Sequence, residues 1–169
     1  MSIQNGTLYP YAEYRAYFQR EHEKPLIWKG ADITAQLDAS KHAGRHGTFM
    51  LAKANTANSC ELFPGAAIAI RVVKAGRSTP THAHSWWHFA LVLSGTGTIS
   101  FDELKTSTLI HKGDITLIPA WCMHRIENES AQEDLVLLDI SNIPDLGNMT
   151  NLLAKTLDGK ITVATPSSA

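Results

Sequence analysis

The sequence predicts an all-β protein, an antiparallel sandwich or barrel of short strands preceded by a helical arm. Three observations carry this. Between Gly47 and Ile140, short runs rich in β-branched and aromatic residues recur at roughly 8–12-residue spacing. Glycine and proline punctuate them at Gly76, Pro80, Gly95, Gly97, Gly113 and Pro119. Helical periodicity is confined to the two ends of the chain, whereas a parallel α/β sheet would interleave it with the strands.

The elements follow in order. Tyr11, Tyr14 and Phe18 recur at helical spacing within Tyr9 to Glu23, which predicts an amphipathic helix ended by Pro25. Leu26-Ile27-Trp28 reads as a short strand or packed arm, and Ala31 to His42 as a short helix. His42 and His46 stand four apart, but Gly44 and Gly47 weaken a helix there, so both read as surface residues. Strands are expected at Thr48–Ala52, Ala66–Lys74, Trp87–Ser94, Thr98–Phe101, Lys105–Ile110, Ile115–Ile118, His124–Asn128 and Leu135–Ile140. Gly95-Thr96-Gly97 reads as a bend, Asp102-Glu103 as a hairpin connection and Lys112-Gly113-Asp114 as a turn. Beyond Pro144, Asn148 to Leu157 reads as a helix, Ile161 to Ala164 as a strand and Thr165 to Ala169 as a frayed end. The chain thus divides into an arm over 1–46, a barrel over 47–145 and a tail over 146–169.

Composition removes several function classes. The 169 residues suffice for one domain with its own core, and the net charge is −1. No basic stripe marks a nucleic-acid surface, and no apolar run reaches the roughly 18 residues of a membrane span. With no export signal at the N-terminus, a cytoplasmic location is expected, with Cys60 and Cys122 as reduced thiols.

The chemistry concentrates in His82-Ala83-His84-Ser85-Trp86-Trp87-His88. If one strand runs through this stretch, the three histidines share a face. Two imidazoles two residues apart can both reach a metal at roughly 2.0–2.2 Å. His124 supplies a further imidazole downstream.

The punctuation around these residues completes a pattern. Gly76 precedes His82-x-His84 by five intervening residues, and His88 and Gly95 follow; Gly113, Pro119, Trp121, His124 and Asn128 form a second series. Over residues 76–128 this resembles the two signature motifs of the cupin superfamily. The resemblance implies a small antiparallel double-sheet cupin barrel (jelly roll) with His82, His84 and His124 as metal ligands. Two positions depart: His88 stands where the family has glutamate, and Trp121 where it has glycine. His88 has three readings: a fourth ligand, an acid/base group beside the metal, or a space-filling histidine. Four neutral ligands would leave a divalent site at +2, which favours an anionic, chelating substrate.

A closer resemblance is to gentisate 1,2-dioxygenase and its hydroxynaphthoate- and salicylate-cleaving relatives. It is carried by Leu26-Ile27-Trp28-Lys29, the strand before Gly76, Pro119-Ala120-Trp121-x-x-His124 with Asn128, Leu138-Asp139-Ile140 and Ile143-Pro144. Those relatives use three-histidine Fe(II) sites, in chains of two cupin halves. Ala90 and Arg125 depart from them, at positions where arginine and an acidic residue are expected; this argues against gentisate itself.

By strand parity Trp86 and Cys122 face inward, and Trp87, Met123 and Arg125 outward. Trp121, in a turn, joins Trp86 and Cys122 as a candidate wall of the substrate pocket. Arg71 is a candidate anchor for a substrate carboxylate, or else an ordinary ion-pair partner. The expected function is a non-haem Fe(II) dioxygenase acting on a small anionic aromatic or diketone-like chelator, with Zn, Ni or Mn as other metals. A non-redox isomerase, lyase or polyketide cyclase is the second reading, and a non-catalytic small-molecule-binding cupin the third. The expected partners are a small-molecule substrate and a second copy of the chain, with no nucleic acid and no membrane.

Overall fold

A computed structural model describes residues 8, 10–17, 24–39, 47–101, 105–149 and 151–163. Expectations for Phe18, Arg20, Glu21, His42, His46, the Asp102-Glu103 connection and residues 165–169 fall outside these.

The described residues form two antiparallel sheets, with two short helices before them and one between their late strands. Helix α1 (Tyr11–Tyr17) and helix α2 (Gly30–Ala39) precede the barrel, and Leu26 to Lys29 between them is neither helix nor strand. The first sheet contains β1 (Gly47–Met50), β2 (Glu61–Phe63), β3 (Ala66–Val73), β6 (His88–Ser94), β9 (Ile115–Ile118) and β11 (Leu135–Ser141). Its order is β1-β3-β11-β6-β9, with β2 also on β3. The second sheet contains β4 (Arg77–Ser78), β5 (His82–His84), β7 (Thr96–Phe101), β8 (Thr106–His111), β10 (His124–Asn128), β12 (Leu153–Thr156) and β13 (Ile161–Val163). Its order is β13-β12-β5-β10-β7-β8, with β4 on β10.

Alternation along the strands fixes what lies between the sheets. On β11 the buried residues are Leu135, Leu137, Asp139 and Ser141, and on β6 they are His88, Ala90 and Val92. An apolar cluster of Val73, Val92, Ile99, Ile110, Ile118, Ile126, Leu135 and Leu137 fills much of the interior, with Phe101 and Cys122 packed against it. The outer face of the first sheet is apolar as well. Cross-strand ranks Ile68–Ile140–Phe89–Leu117 and Phe49–Ile70–Leu138–Leu91–Ile115 run across it. Ile115 and Leu117 are each 60% exposed.

Two glycines allow the close crossings. A Cβ at Gly95 would lie 2.5 Å from the Asp134 carbonyl oxygen, and one at Gly97 would lie 2.6 Å from that of Glu127. The expected bend at Gly95-Thr96-Gly97 accordingly resolves into a one-residue turn at Gly95, with β7 already under way at Thr96.

The structure corrects three expectations. Asn148 to Leu157 is not a helix: Leu153–Thr156 is β12, antiparallel to β5 with Ala154 opposite His84. A short helix α3 (Ile143–Asn148) instead directly follows β11, with Pro144 in its first turn, where a missing N–H costs nothing. The stretch set apart as a tail over 146–169 therefore supplies two strands to the second sheet. Finally, no continuous strand joins His84 to His88. The chain leaves the second sheet after β5 and enters the first at β6. The crossing is held by Ser85, whose hydroxyl donates to the Asn151 carbonyl (2.6 Å) and accepts from the Leu153 N–H (3.0 Å). The Trp87 N–H donates to the Asn142 side chain at 3.0 Å.

Candidate metal centre

Two strands of the second sheet bring three histidines together. His82 and His84 lie on β5, and His124 opens β10 directly opposite His82. The rings of His82 and His124 are 4.5 Å apart, those of His84 and His124 5.1 Å, and those of His82 and His84 5.5 Å. One ring nitrogen from each of the three lies within 4.8 Å of the others, a spacing that can hold a metal ion.

Hydrogen bonding fixes which nitrogen is offered. His82 Nδ1 lies 2.8 Å from the Pro80 carbonyl, His84 Nδ1 2.6 Å from that of Trp86, and His124 Nδ1 2.9 Å from that of Cys122. A carbonyl only accepts, so each Nδ1 carries the proton and each neutral ring keeps its lone pair on Nε2. His124 Nε2 is buried and has no hydrogen-bond partner among the described residues. Leaving a buried acceptor unmatched is costly unless a ligand takes it up. Burial, reinforced by the neighbouring imidazoles, lowers the pKa of His84 to about 3 and that of His124 to about 2. Both rings are therefore neutral at pH 7, the form that binds metal. The donor set fits a divalent transition metal.

His88 is not in that group. It sits on β6 in the opposing sheet, 1% exposed, with its ring 5.0 Å from that of His84 and 5.2 Å from that of His124. Burial lowers its pKa, against the opposing pull of Asp139. The shared parity expected of His82, His84 and His88 does not arise, because they do not belong to one strand.

The remaining candidate residues lie at varied distances from these histidines. Trp86 stacks on His84, with centroids 4.0 Å apart and planes 3° from parallel, so it backs a histidine ring. Trp121 is 40% exposed, and its backbone N–H donates to the His84 carbonyl at 2.7 Å. It holds φ at +63°, the left-handed conformation that suits glycine better than an aromatic residue. Cys122 is half-buried against the apolar cluster. Met123 is 7% exposed, so the outward placement given by parity is not an exposed one. Arg125 is turned to Ser78 and Glu127 on the sheet surface. Asn128 is a structural clip: its amide donates to the carbonyls of Val73 (2.9 Å) and Glu133 (2.8 Å).

Arg71 is engaged by a residue that the site reading of the sequence missed. Its Nε lies 2.6 Å from Asp139 Oδ2, close enough for an ion pair although not aligned as a hydrogen bond. Asp139 Oδ1 in turn lies 3.7 Å from His88 Nδ1. Burial alone would raise the pKa of Asp139, but Arg71 and His88 outweigh it and hold the carboxyl below its ordinary range. The signal was present in the sequence, since an aspartate shares parity with Leu135 and Leu137 on a mostly apolar strand.

A separate groove of about 360 Å³ lies between the arm and β1, lined in part by Ile27, Trp28, Ile33, Leu37, Phe49 and Ile70. Ile70 faces away from Arg71 on β3, so this groove belongs to the outer face of the first sheet and not to the histidine cluster.

Comparison with known proteins agrees with this architecture. Residues 69–141 match the family model for the cupin domain. Salicylate 1,2-dioxygenase from Pseudaminobacter salicylatoxidans superposes with a TM-score of 0.60 at 18% identity, covering 77% of this chain and 36% of that one. A point variant of that enzyme gives a TM-score of 0.65 at 16% identity, covering 78% and 38%. A structure of the enzyme with gentisate gives 0.59 at 18%, covering 74% and 33%. Identity this low shows a shared fold, and the superposed part is about a third of those chains. No curated protein matches the sequence. Among the described residues no helix is long and apolar enough to cross a membrane. With two antiparallel sheets enclosing three histidines at the positions of both signature motifs, residues 69–141 match the cupin domain in sequence pattern and in fold.

Proposed function

We propose that this protein is a metal-dependent cupin enzyme in which His82, His84 and His124 hold one divalent ion, Fe(II) in the first instance, with Zn, Ni or Mn as other candidates. The observation that carries the reading is the common hydrogen-bond pattern of the three rings, each with Nδ1 on a carbonyl and Nε2 left as the donor. Three neutral donors leave the full +2 charge of the ion uncompensated, which favours a small anionic chelating substrate of aromatic or diketone-like type. A bound Fe(II) would supply Lewis acidity and one-electron chemistry toward O₂, so a dioxygenase is the first reading. The chain's own contribution is to fix the rings, with Trp86 backing His84, and to close one end of the pocket with apolar side chains. Trp86, Trp121 and Cys122 serve as walls, and His88 stands across the pocket as an acid/base group rather than a fourth ligand.

The placement of His88 on the opposing sheet also favours a second reading, non-redox isomerase, lyase or cyclase chemistry in which a metal polarises a carbonyl and His88 moves a proton. Metal analysis of protein purified without chelators, followed by O₂ uptake with hydroxy-aromatic acids and β-diketones, separates the two. The dioxygenase reading expects O₂ consumption that is lost on chelation and restored by Fe(II). Turnover under strict anaerobiosis would replace it with the second reading. Metal-free protein that binds no added metal would end both.

The β9 end of the apolar ranks, where Ile115 and Leu117 are each 60% exposed, supports a homodimer, since an exposed apolar edge of this kind is usually covered. Light scattering should give twice the chain mass, and Leu117→Glu should return the protein to monomer.

A further inference from the structure

The first sheet carries its own polar group facing the three histidines. Asp139 on β11 is flanked directly across the strands by two small residues, Ala69 and Ala90. These leave space for longer side chains to reach it diagonally. Arg71 comes from one side, at 2.6 Å, and His88 from the other, at 3.7 Å. Both nitrogens of His88 and both oxygens of Asp139 are buried without a hydrogen-bond partner among the described residues. Asp139 Oδ2 is ion-paired with Arg71 and Oδ1 faces His88 Nδ1, so the atom of these left with neither kind of partner is His88 Nε2. An unmatched buried nitrogen next to a candidate metal centre marks a place where something is bound or moved.

We infer that Asp139 is a positioning residue that fixes the tautomer of His88, keeping the proton on Nδ1 and presenting Nε2 to the pocket as a hydrogen-bond acceptor. A carboxylate can only accept, and Nδ1 is the His88 nitrogen beside it, so a neutral ring places its one proton there. Arg71 keeps Asp139 ionised and is therefore occupied within the protein, which removes it as the main anchor for a substrate carboxylate. Nε2, on the far side of the ring, opens into the space shared with His84 and His124. The inference rests on the metal reading for its consequence: the chelating group of the ligand bears a hydroxyl or enol hydrogen that His88 Nε2 can accept. A bare carboxylate chelator offers no such hydrogen.

The test uses the full chain loaded with Zn(II), labelled with ¹⁵N-histidine, and long-range ¹H–¹⁵N correlation to read the tautomer of each ring. Wild type should show His88 in the Nδ1–H form with an uncoordinated Nε2. Asp139→Asn, whose amide can donate as well as accept, should convert it to a mixture or to the Nε2–H form, with zinc content unchanged. Arg71→Gln, which takes away the charge that keeps the buried carboxyl ionised, should weaken the Nδ1–H preference in the same direction. Should Asp139→Asn fail to fold with Arg71 stranded, the double variant Arg71→Met, Asp139→Leu removes both charges and should show the same loss of tautomer preference. A His88 ring that stays Nδ1–H in these Asp139 variants would overturn the inference, as would a zinc-coordinated His88. Zinc uptake by wild type is measured separately. Its absence defeats the metal reading alone, because the tautomer comparison can then be made on the metal-free protein.

Discussion

The two ends of the barrel interior are made by the same strands and differ in kind. On β3, Val73 belongs to the apolar cluster while Arg71, two residues back, reaches Asp139. On β11, Leu135 and Leu137 are followed by Asp139; on β6, Val92 is preceded at the same parity by His88; on β10, Ile126 follows His124. Steps of two residues move roughly 6.5–7 Å along a strand without changing face. One end is thus close-packed aliphatic side chain, and the other holds imidazoles, a guanidinium and a carboxylate beside the small residues Ala69 and Ala90. The difference teaches that alternation decides only which residues enter the barrel. Position along the strand decides whether they stabilise the fold or build the site.

Substitutions at the two ends should separate accordingly. His124→Ala should lower metal affinity by more than the roughly 10–100-fold expected for losing an outer-shell partner, read by metal titration, with the folded state kept. Leu137→Ala, at the apolar end, should cost about 2–5 kcal/mol in urea unfolding and leave metal stoichiometry per folded molecule unchanged. If Leu137→Ala released metal as effectively as His124→Ala, the two ends would not be independent.

Charge at the polar end opposes stability, and that sharpens the contrast. Asp139→Leu alone strands Arg71 and should cost about 3–5 kcal/mol, whereas the double change Arg71→Met, Asp139→Leu should be neutral or stabilising by about 1–4 kcal/mol. A double variant less stable than the single would show that the ion pair holds the barrel together.

The pH dependence of the metal-free protein follows from the same end. His84 and His124 sit near about 3 and about 2 in the folded protein against 6.5 in the unfolded chain. Between those values the unfolded state binds more protons, so stability rises with pH there. It should be complete above pH 6.5 and decline as pH falls toward 3, followed by urea midpoints across that range; a flat profile would mean that the rings are not buried neutral. The smallest effect belongs to Trp121→Gly. Relief of a left-handed aromatic residue, about 1–2 kcal/mol, is set against the loss of side-chain contacts, so thermal melting should move by only a few degrees.

Much of the barrel was legible. Ile115–Ile118 and His124–Asn128 have the boundaries their residues suggest, because Gly113, Pro119 and the alternating pattern mark them locally. β12 was not legible, since Leu152, Leu153 and Leu157 at mixed spacing read equally as helix. The free edge of β5 decided it. The break between His84 and His88 was also hidden. Ser85-Trp86-Trp87 contains no glycine or proline, and the hydrogen bonds that turn the chain there come from Asn142, Asn151 and Leu153.

By itself, then, the sequence determined the all-β class and the barrel and singled out the histidines of the candidate site, because period-two alternation and turn residues are local properties. Only the tertiary structure decided how those histidines divide. Sheet membership and register are set by pairings between distant strands, and these place His82, His84 and His124 on one sheet and His88 across from them. The same pairings bring Asp139 between Arg71 and His88. No spacing along the chain encodes that meeting, because the three residues come from three different strands.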